Sequence, residues 1–384
     1  MTRPGWLNRR SFVQVAAMTA LAMRSRLLHA AETNPMERGL AFVGSMEQPQ
    51  GIHIYLVESG RWRHLDFVPS EAPISLALHP SGEDLYVLNS VKEYHGLPCG
   101  SVEAYKLQAK TGQLTLLGRQ PLALSATMPR DLAISPDGKM LAVAVHGGGA
   151  YNLLPVFADG RIGSVSSALK IAGRGPIADH QDTAHPQAVL FDRTGKQLLT
   201  ADLGCDRLGV FSVDTVSGTL AEHHRLTLPP GSGPRHLLLH PVEDRLYVDH
   251  ALDTSLSGFH YDPATGKIGE QFMTSCGNFG DALTIHPQGT FLYSSGNGVM
   301  TTWRIEPEIG NIEPIQSMDI RDEAVSKIIA IHDGSAILTL TSKGVMRRDI
   351  EARTGRLCDP VFEAEVRNAC SLVIHPCDGT LPEA

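Results

Sequence analysis

SLALHPSGEDLYVLN, Ser75–Asn89, is the stretch that decides the fold. A short apolar, β-prone run leads into a turn of proline, glycine and acidic residues, and a second apolar run follows, which is a β-hairpin. The runs are continuously apolar rather than alternating, so both faces of the hairpin are expected to be covered. The pattern returns as DLAISPDGKMLAVAV (Asp131–Val145), QAVLFDRTGKQLLTAD (Gln187–Asp202) and HLLLHPVEDRLYVDH (His236–His250). ALTIHPQGTFLYSSG (Ala282–Gly296) and KIIAIHDGSAILTLT (Lys327–Thr341) continue it, and SLVIHPCDG (Ser371–Gly379) begins a seventh copy and stops halfway. Recurrence at this spacing is the mark of a repeat architecture.

Between these copies lies a second set of hairpins. Their turn glycines are Gly60, Gly112, Gly160, Gly218, Gly266, Gly310 and Gly355, at intervals of 44 to 58 residues. Apolar and polar residues alternate here, as on half-exposed strands. Two hairpins per repeat make a four-stranded blade, and seven repeats make an all-β, seven-bladed β-propeller. The seventh inner hairpin lacks its second strand, and the N-terminal run LAFVG (Leu40–Gly44) is a strand without a hairpin partner. The N-terminal strands are therefore expected to complete the last blade, which leaves no free sheet edge. Two separate β domains would be the rival, but no linker or break in composition divides the chain.

Residues 1–35 read as a targeting segment, and 36–384 as the propeller. Arg9 and Arg10 in NRRSF precede the apolar run VQVAAMTALAM (Val13–Met23), the order of a twin-arginine export signal. That run is too short to span a bilayer. No stable membrane span is expected once the segment is removed, and an exported, periplasmic protein follows; a cytoplasmic one is the alternative. Of the six cysteines, no pair has CxxC spacing. Free thiols, or one bridge from Cys370 to Cys377 or Cys358, are expected. A net charge of −8 gives no basic surface for nucleic acid. Nothing in the spacing calls for a metal or cofactor, and a monomer is expected.

In an up-and-down propeller one end of the ring collects the residues that precede each inner hairpin and the loops that follow it. The first set is Arg130, Asp131, His185, Gln187, Arg235, His236, Asp281 and Lys327; the second includes His146, Asp202, Asp206, Arg207 and His250. Histidine is suited to acid–base work near neutrality and arginine to holding anions. The candidate site is therefore His185 and His236 for catalysis. Arg235, Arg130, Asp131, His146, Gln187, Asp202, Asp206, Arg207 and His250 are the candidates for binding, with a loop-capping role favoured for the two aspartates at 202 and 206. The repeated His-Pro pairs at His79, His240, His286 and His375 belong to turns at the other end and are expected to be structural.

HGGGAYNLLPV (His146–Val156), AHPQAVLFDRTGKQLLTADLGCDRL (Ala184–Leu208), SGPRHLLLHP (Ser232–Pro241) and GSVEAYKLQAKTGQLTLLGRQP (Gly100–Pro121) carry a family resemblance. Over Gly39 to Gly379 the chain resembles the 6-phosphogluconolactonase family of propeller lactonases. The resemblance implies hydrolysis of a sugar lactone, with His185, Arg235 and His236 matching family motif positions. It also departs from the pattern. Gln187 stands where the family has a second histidine, Asp131 where it has a histidine, Asn297 where it has an arginine, and Ala251 and Ser90 where it has glutamate. A binding propeller without catalysis, and a muconate-type lactonising isomerase, are the alternatives.

Overall fold

The computed structural model describes residues 38–376. Its strands form seven four-stranded antiparallel sheets. The chain opens with β1 (Arg38–Ser45), β2 (Gly51–Glu58) and β3 (Arg61–Pro69). The next sheet is β4 (Pro73–Leu78), β5 (Asp84–Asn89), β6 (Ser101–Gln108) and β7 (Gln113–Pro121). It is followed by β8 (Pro129–Ile134), β9 (Met140–Val145), β10 (Ala150–Pro155) and β11 (Ser167–Lys170). Then come β12 (Pro186–Phe191), β13 (Gln197–Asp202), β14 (Arg207–Asp214) and β15 (Thr219–Thr227). The fourth repeat gives β16 (Pro234–Leu239), β17 (Arg245–His250), β18 (Ser255–Asp262) and β19 (Lys267–Cys276). The fifth gives β20 (Ala282–Ile285), β21 (Phe291–Gly296), β22 (Val299–Ile305) and β23 (Ile312–Asp319). The sixth gives β24 (Lys327–Ala330), β25 (Ala336–Leu340), β26 (Gly344–Asp349) and β27 (Val361–Glu365), and β28 (Ala369–Pro376) ends the described chain.

The seven-bladed ring closes as the orphan strand required. Strand β28 pairs with β1, from Gly39 opposite Pro376 to Ser45 opposite Ala369, and the sheet order is β28-β1-β2-β3. Hydrogen bonds between the two ends of the chain thus replace two free edges. Residues 1–35, expected above to be a targeting segment, and Cys377 lie outside the described residues. Cys358 and Cys370 are both free thiols, as one of the two expectations had it, and the alternative bridge between them is not made. No helix among the described residues is long and apolar enough to cross a membrane.

Burial follows position in the blade. The second strands, β5, β9, β17 and β21, are buried at every residue. The first strands are partly open to the central channel. The third strands depart from the alternation expected of them: β6 and β18 are buried over their first five residues, because neighbouring blades cover both faces. The fourth strands, such as β15, are the most open to solvent among the described strands. All seven outer-turn glycines have positive φ, between 66° at Gly266 and 83° at Gly160, where a Cβ would be strained. Several of these turns lie against the preceding blade. Tyr86, Tyr247 and Tyr293 donate hydrogen bonds from their hydroxyls to the carbonyls of Gly160, Gly310 and Gly355, at 3.2, 2.8 and 3.2 Å. Blades are therefore held by buried apolar contacts and by a tyrosine that reaches the next turn.

Candidate active site

Five innermost strands begin with the same irregularity. The pairing register slips by one residue between Pro73 and Ser75, Pro129 and Asp131, Pro186 and Ala188, and Pro234 and His236, and in β28 between Ala369 and Ser371. The residues left over are Ile74, Arg130, Gln187, Arg235 and Cys370. A β-bulge bends its strand and re-aims the extra side chain. All five line one cavity of about 640 Å³ at the mouth of the channel. Four of the bulges follow a proline, which has no N–H to give to the ladder.

Around this cavity stand Asp131, His146, His185, His236 and Lys327 as well. His236 is held most firmly. Its backbone N–H donates to Asp249 Oδ1 at 2.8 Å, and its Nδ1 lies 3.0 and 3.1 Å from the two Asp249 oxygens. The Asp249 side chain is wholly buried, while a third of His236 remains accessible. The pair is a cross-strand neighbour pair of β16 and β17. Burial alone would raise the Asp249 carboxyl, but the charge and hydrogen bonds of His236 outweigh it and hold the carboxyl below its usual range. An ionised Asp249 holds a proton on Nδ1, so whenever the ring carries a single proton Nε2 is the bare nitrogen, and Nε2 makes no hydrogen bond within the described protein.

His185 is arranged differently. Its Nε2 lies 2.8 Å from Asp182 Oδ1 and its Nδ1 3.2 Å from the His146 carbonyl, so both ring nitrogens are engaged by acceptors. The ring stacks on His146, with centroids 4.2 Å apart and planes 18° from parallel. Gln187 Nε2 lies 2.8 Å from His146 Nδ1. The His146 pKa is lowered to about 4, by burial first and then by His185 and Arg130.

Three cations face the cavity without an ion-pair partner. Arg235 donates to the Gly280 carbonyl at 2.6 Å, and no carboxylate lies within salt-bridge distance of Arg235, Arg130 or Lys327 among the described residues. Desolvation and then the charge of Arg235 lower the Arg130 pKa, although Arg130 is an exposed residue. Asp131 faces the same space. Burial raises its pKa against the pull of Lys327 and of the Val189 N–H, which donates to Oδ2 at 3.1 Å. The arrangement offers a base of fixed orientation, anion-binding charge and two further histidines.

The sequence matches the family described as "Lactonase, 7-bladed beta-propeller" over residues 40–371. The chain belongs to that family. A 6-phosphogluconolactonase of Bacillus subtilis is 26% identical over 219 residues, which are 55% of this chain and 61% of that protein. The match thus spans less than two thirds of that relative. A 6-phosphogluconolactonase of Formosa agariphila is 28% identical over 275 residues, covering 67% of this chain and 75% of the relative. In three dimensions a Pseudomonas aeruginosa periplasmic gluconolactonase superposes with a TM-score of 0.77 at 21% identity, covering 88% of this chain and 99% of that one.

Within this lactonase-family propeller, four of the candidate residues stand away from the cavity. Asp202 is buried and caps a short 3-10 turn, Leu203–Cys205, accepting from the Cys205 and His185 N–H groups. Asp206 is buried too. It accepts from Gln181 Nε2 at 2.7 Å and from the N–H groups of Gly231 and Gly233, both at 2.7 Å, so it ties two cavity-flanking loops together. Arg207 lines a separate shallow cleft beside Glu222 and Arg225. His250 is 1% exposed, with Nε2 2.9 Å from Ser257 Oγ. The physical reason is the same for all four: the second strand runs behind the first, so its end and its turn lie one layer out from the axis. Asp281 is likewise absent from the cavity lining. Asp249 and Asp182, the partners of the cavity histidines His236 and His185, were not among the candidates. Asp249 carried a signal, as the one charged residue inside the apolar run LYVDH.

Proposed function

We propose that this chain hydrolyses a sugar lactone bearing an anionic or strongly polar group, an aldonolactone or its phosphate. The observation that carries the proposal is the His236–Asp249 pair, with Nδ1 tied to a buried carboxylate and Nε2 turned to a cavity lined by unpaired cations. His236 Nε2 takes a proton from water as the water oxygen bonds to the lactone carbonyl carbon. Asp249 keeps the ring in the correct tautomer and stabilises the imidazolium that forms. The tetrahedral oxyanion then collapses, the bond from the carbonyl carbon to the ring oxygen breaks, and the proton on Nε2 passes to the departing oxygen. A hydroxy acid is released. General-base catalysis of this kind contributes about 10²- to 10⁴-fold. Arg235, Arg130 and Lys327 hold the substrate anion and oppose the oxyanion charge.

Of the two histidines expected to carry catalysis, His236 is the base, because both ring nitrogens of His185 are engaged. The names of the relatives support the lactone class. The Arg9–Arg10 segment supports export, and with it an aldonolactone outside the cytoplasm. The test is base uptake at constant pH with purified protein and a panel of neutral, carboxylated and phosphorylated sugar lactones. Turnover well above spontaneous opening, strongest for the charged members, is expected. A folded protein inert on the whole panel would reject the proposal.

A further inference from the structure

His146 sits directly after β9, opposite the bulge that presents Gln187. The amide of Gln187 has only one orientation that satisfies its neighbours. Its Nε2 lies 2.8 Å from His146 Nδ1 and 3.4 Å from the His185 carbonyl oxygen. With the amide turned over, Oε1 would face that carbonyl oxygen, an acceptor against an acceptor. The NH₂ group therefore points at both, and His146 Nδ1 must be the acceptor. A neutral imidazole that accepts at Nδ1 carries its proton on Nε2.

The surroundings keep the ring neutral. The titratable groups facing it are His185 just before β12, Arg130 from β8 and Asp182 from the 172–184 loop. Two of the three are basic, and burial acts in the same direction. The stacked His185 ring and the Gln187 amide fix the plane of His146 on either side. Its Nε2–H makes no hydrogen bond within the described protein, while the residue lines the cavity. What remains is an oriented, neutral N–H donor with no protein acceptor, directed to the space where substrate would sit. Such a donor costs no reorganisation when negative charge develops near it.

We propose that neutral His146 donates Nε2–H to the carbonyl oxygen of the bound lactone, and that Gln187 is the positioning residue that fixes this tautomer. The proposal rests on the lactonase reading, with His236 as base. It gives a purpose to Gln187, which stands where the sequence comparison expected a histidine: a second imidazole there could offer either a donor or an acceptor to Nδ1, whereas the amide held by the His185 carbonyl offers only a donor.

Nitrogen-15 NMR of the histidine rings, with His146 assigned from its loss in His146→Asn, reads the tautomer without reference to activity. At pH 7 the wild type should show a protonated Nε2 and a bare Nδ1. Gln187→Glu puts a carboxylate against Nδ1, so the proton should move to Nδ1. The variant's kcat should then fall about 10²- to 10³-fold at pH 7, the range for losing one oxyanion donor, with a smaller change in KM. Relative to wild type at the same pH, activity should recover in part as pH is lowered, because the protonated His146 ring again carries Nε2–H while protonation of His236 affects both enzymes alike; a merely structural glutamine would produce no such limb. A wild-type ring protonated on Nδ1, or a Gln187→Glu enzyme with unchanged kcat at pH 7, overturns the inference and leaves the lactonase reading standing. The expected tautomer in a protein that hydrolyses no lactone overturns the catalytic role and the lactonase reading together.

Discussion

The two ends of the innermost strands carry the same kinds of residue and use them in opposite ways. At the turn end His240 accepts at Nδ1 from the N–H of Glu243 at 2.9 Å and reaches the Gly289 carbonyl of the next blade through Nε2 at 2.9 Å. His286 repeats this with the Gln288 N–H and the Gly334 carbonyl, both at 3.1 Å. The partner glycines have positive φ, and a Cβ on Gly289 would lie 2.3 Å from the His240 ring. These histidines are stitches between blades, with every nitrogen satisfied. At the cavity end no polar pattern repeats from blade to blade. The bulge position holds isoleucine, arginine, glutamine, arginine and cysteine in turn, and Arg130, Arg235, Lys327, His146 and His236 keep polar atoms that no protein group takes up. A polar residue that recurs with the repeat and is satisfied serves the fold; one that breaks the repeat and is left open serves a ligand.

The harshest way to break the comparison is to open the ring. Deleting residues 38–45 removes β1 from between β28 and β2, exposing two sheet edges and emptying the core positions that Leu40, Phe42 and Val43 fill. Both ends should be lost together, as aggregation on expression; soluble protein with a wild-type melting temperature would refute the closure argument. Asp249→Asn strikes only the cavity end. It permits the wrong His236 tautomer and should lower kcat by about 10²- to 10⁴-fold with the fold retained in circular dichroism. Arg235→Ala should act more gently, raising KM for charged lactones about 10- to 100-fold, as expected for one charge-assisted contact, while sparing neutral ones.

The smallest effect is on acid stability, and it sharpens the comparison because both ends contribute. His146, His240 and His286 all have pKa values lowered by burial, to about 4 for His146. The unfolded chain then binds more protons than the folded one below the ordinary value of 6.5. The stability these neutral rings contribute is fully present above that value and is lost as pH falls toward the folded pKa. Melting temperature should drop between about pH 6.5 and pH 4. His146→Asn should make that drop shallower without removing it, since the two turn-end histidines remain; an unchanged slope would contradict the neutral state of His146.

The blades were legible because a buried hairpin writes itself as two apolar runs around a turn, and the half-copy SLVIHPCDG could be completed only by LAFVG. The cavity end was half legible. Strand order placed Arg130, Asp131, Gln187, Arg235, His236 and Lys327 at the mouth, and all six line the cavity. The bulges were not recognised, although Pro-Arg at 129–130, Pro-Gln at 186–187 and Pro-Arg at 234–235 repeat their signature. Asp202 and Asp206 take the loop-capping role favoured for them, whereas His250 is buried away from the cavity, because the end of the second strand lies behind the first; a 3-10 turn and a left-handed Asp206, φ 50°, shape the loop between. Asp182 could not be foreseen as the partner of His185, since that contact depends on how an irregular loop folds.

His236 lies on β16 and His240 directly after it, yet the proposed function gives the first to chemistry and the second to the fold. One measurement separates them: kcat/KM for a hydrolysed lactone and melting temperature, determined side by side for His236→Gln and His240→Gln. His236→Gln should lose at least about 100-fold in kcat/KM and melt close to wild type. His240→Gln should lose about 1–3 kcal/mol of stability and keep the activity of the folded fraction. Equal activity losses in the two variants, or full activity in His236→Gln, would contradict the account.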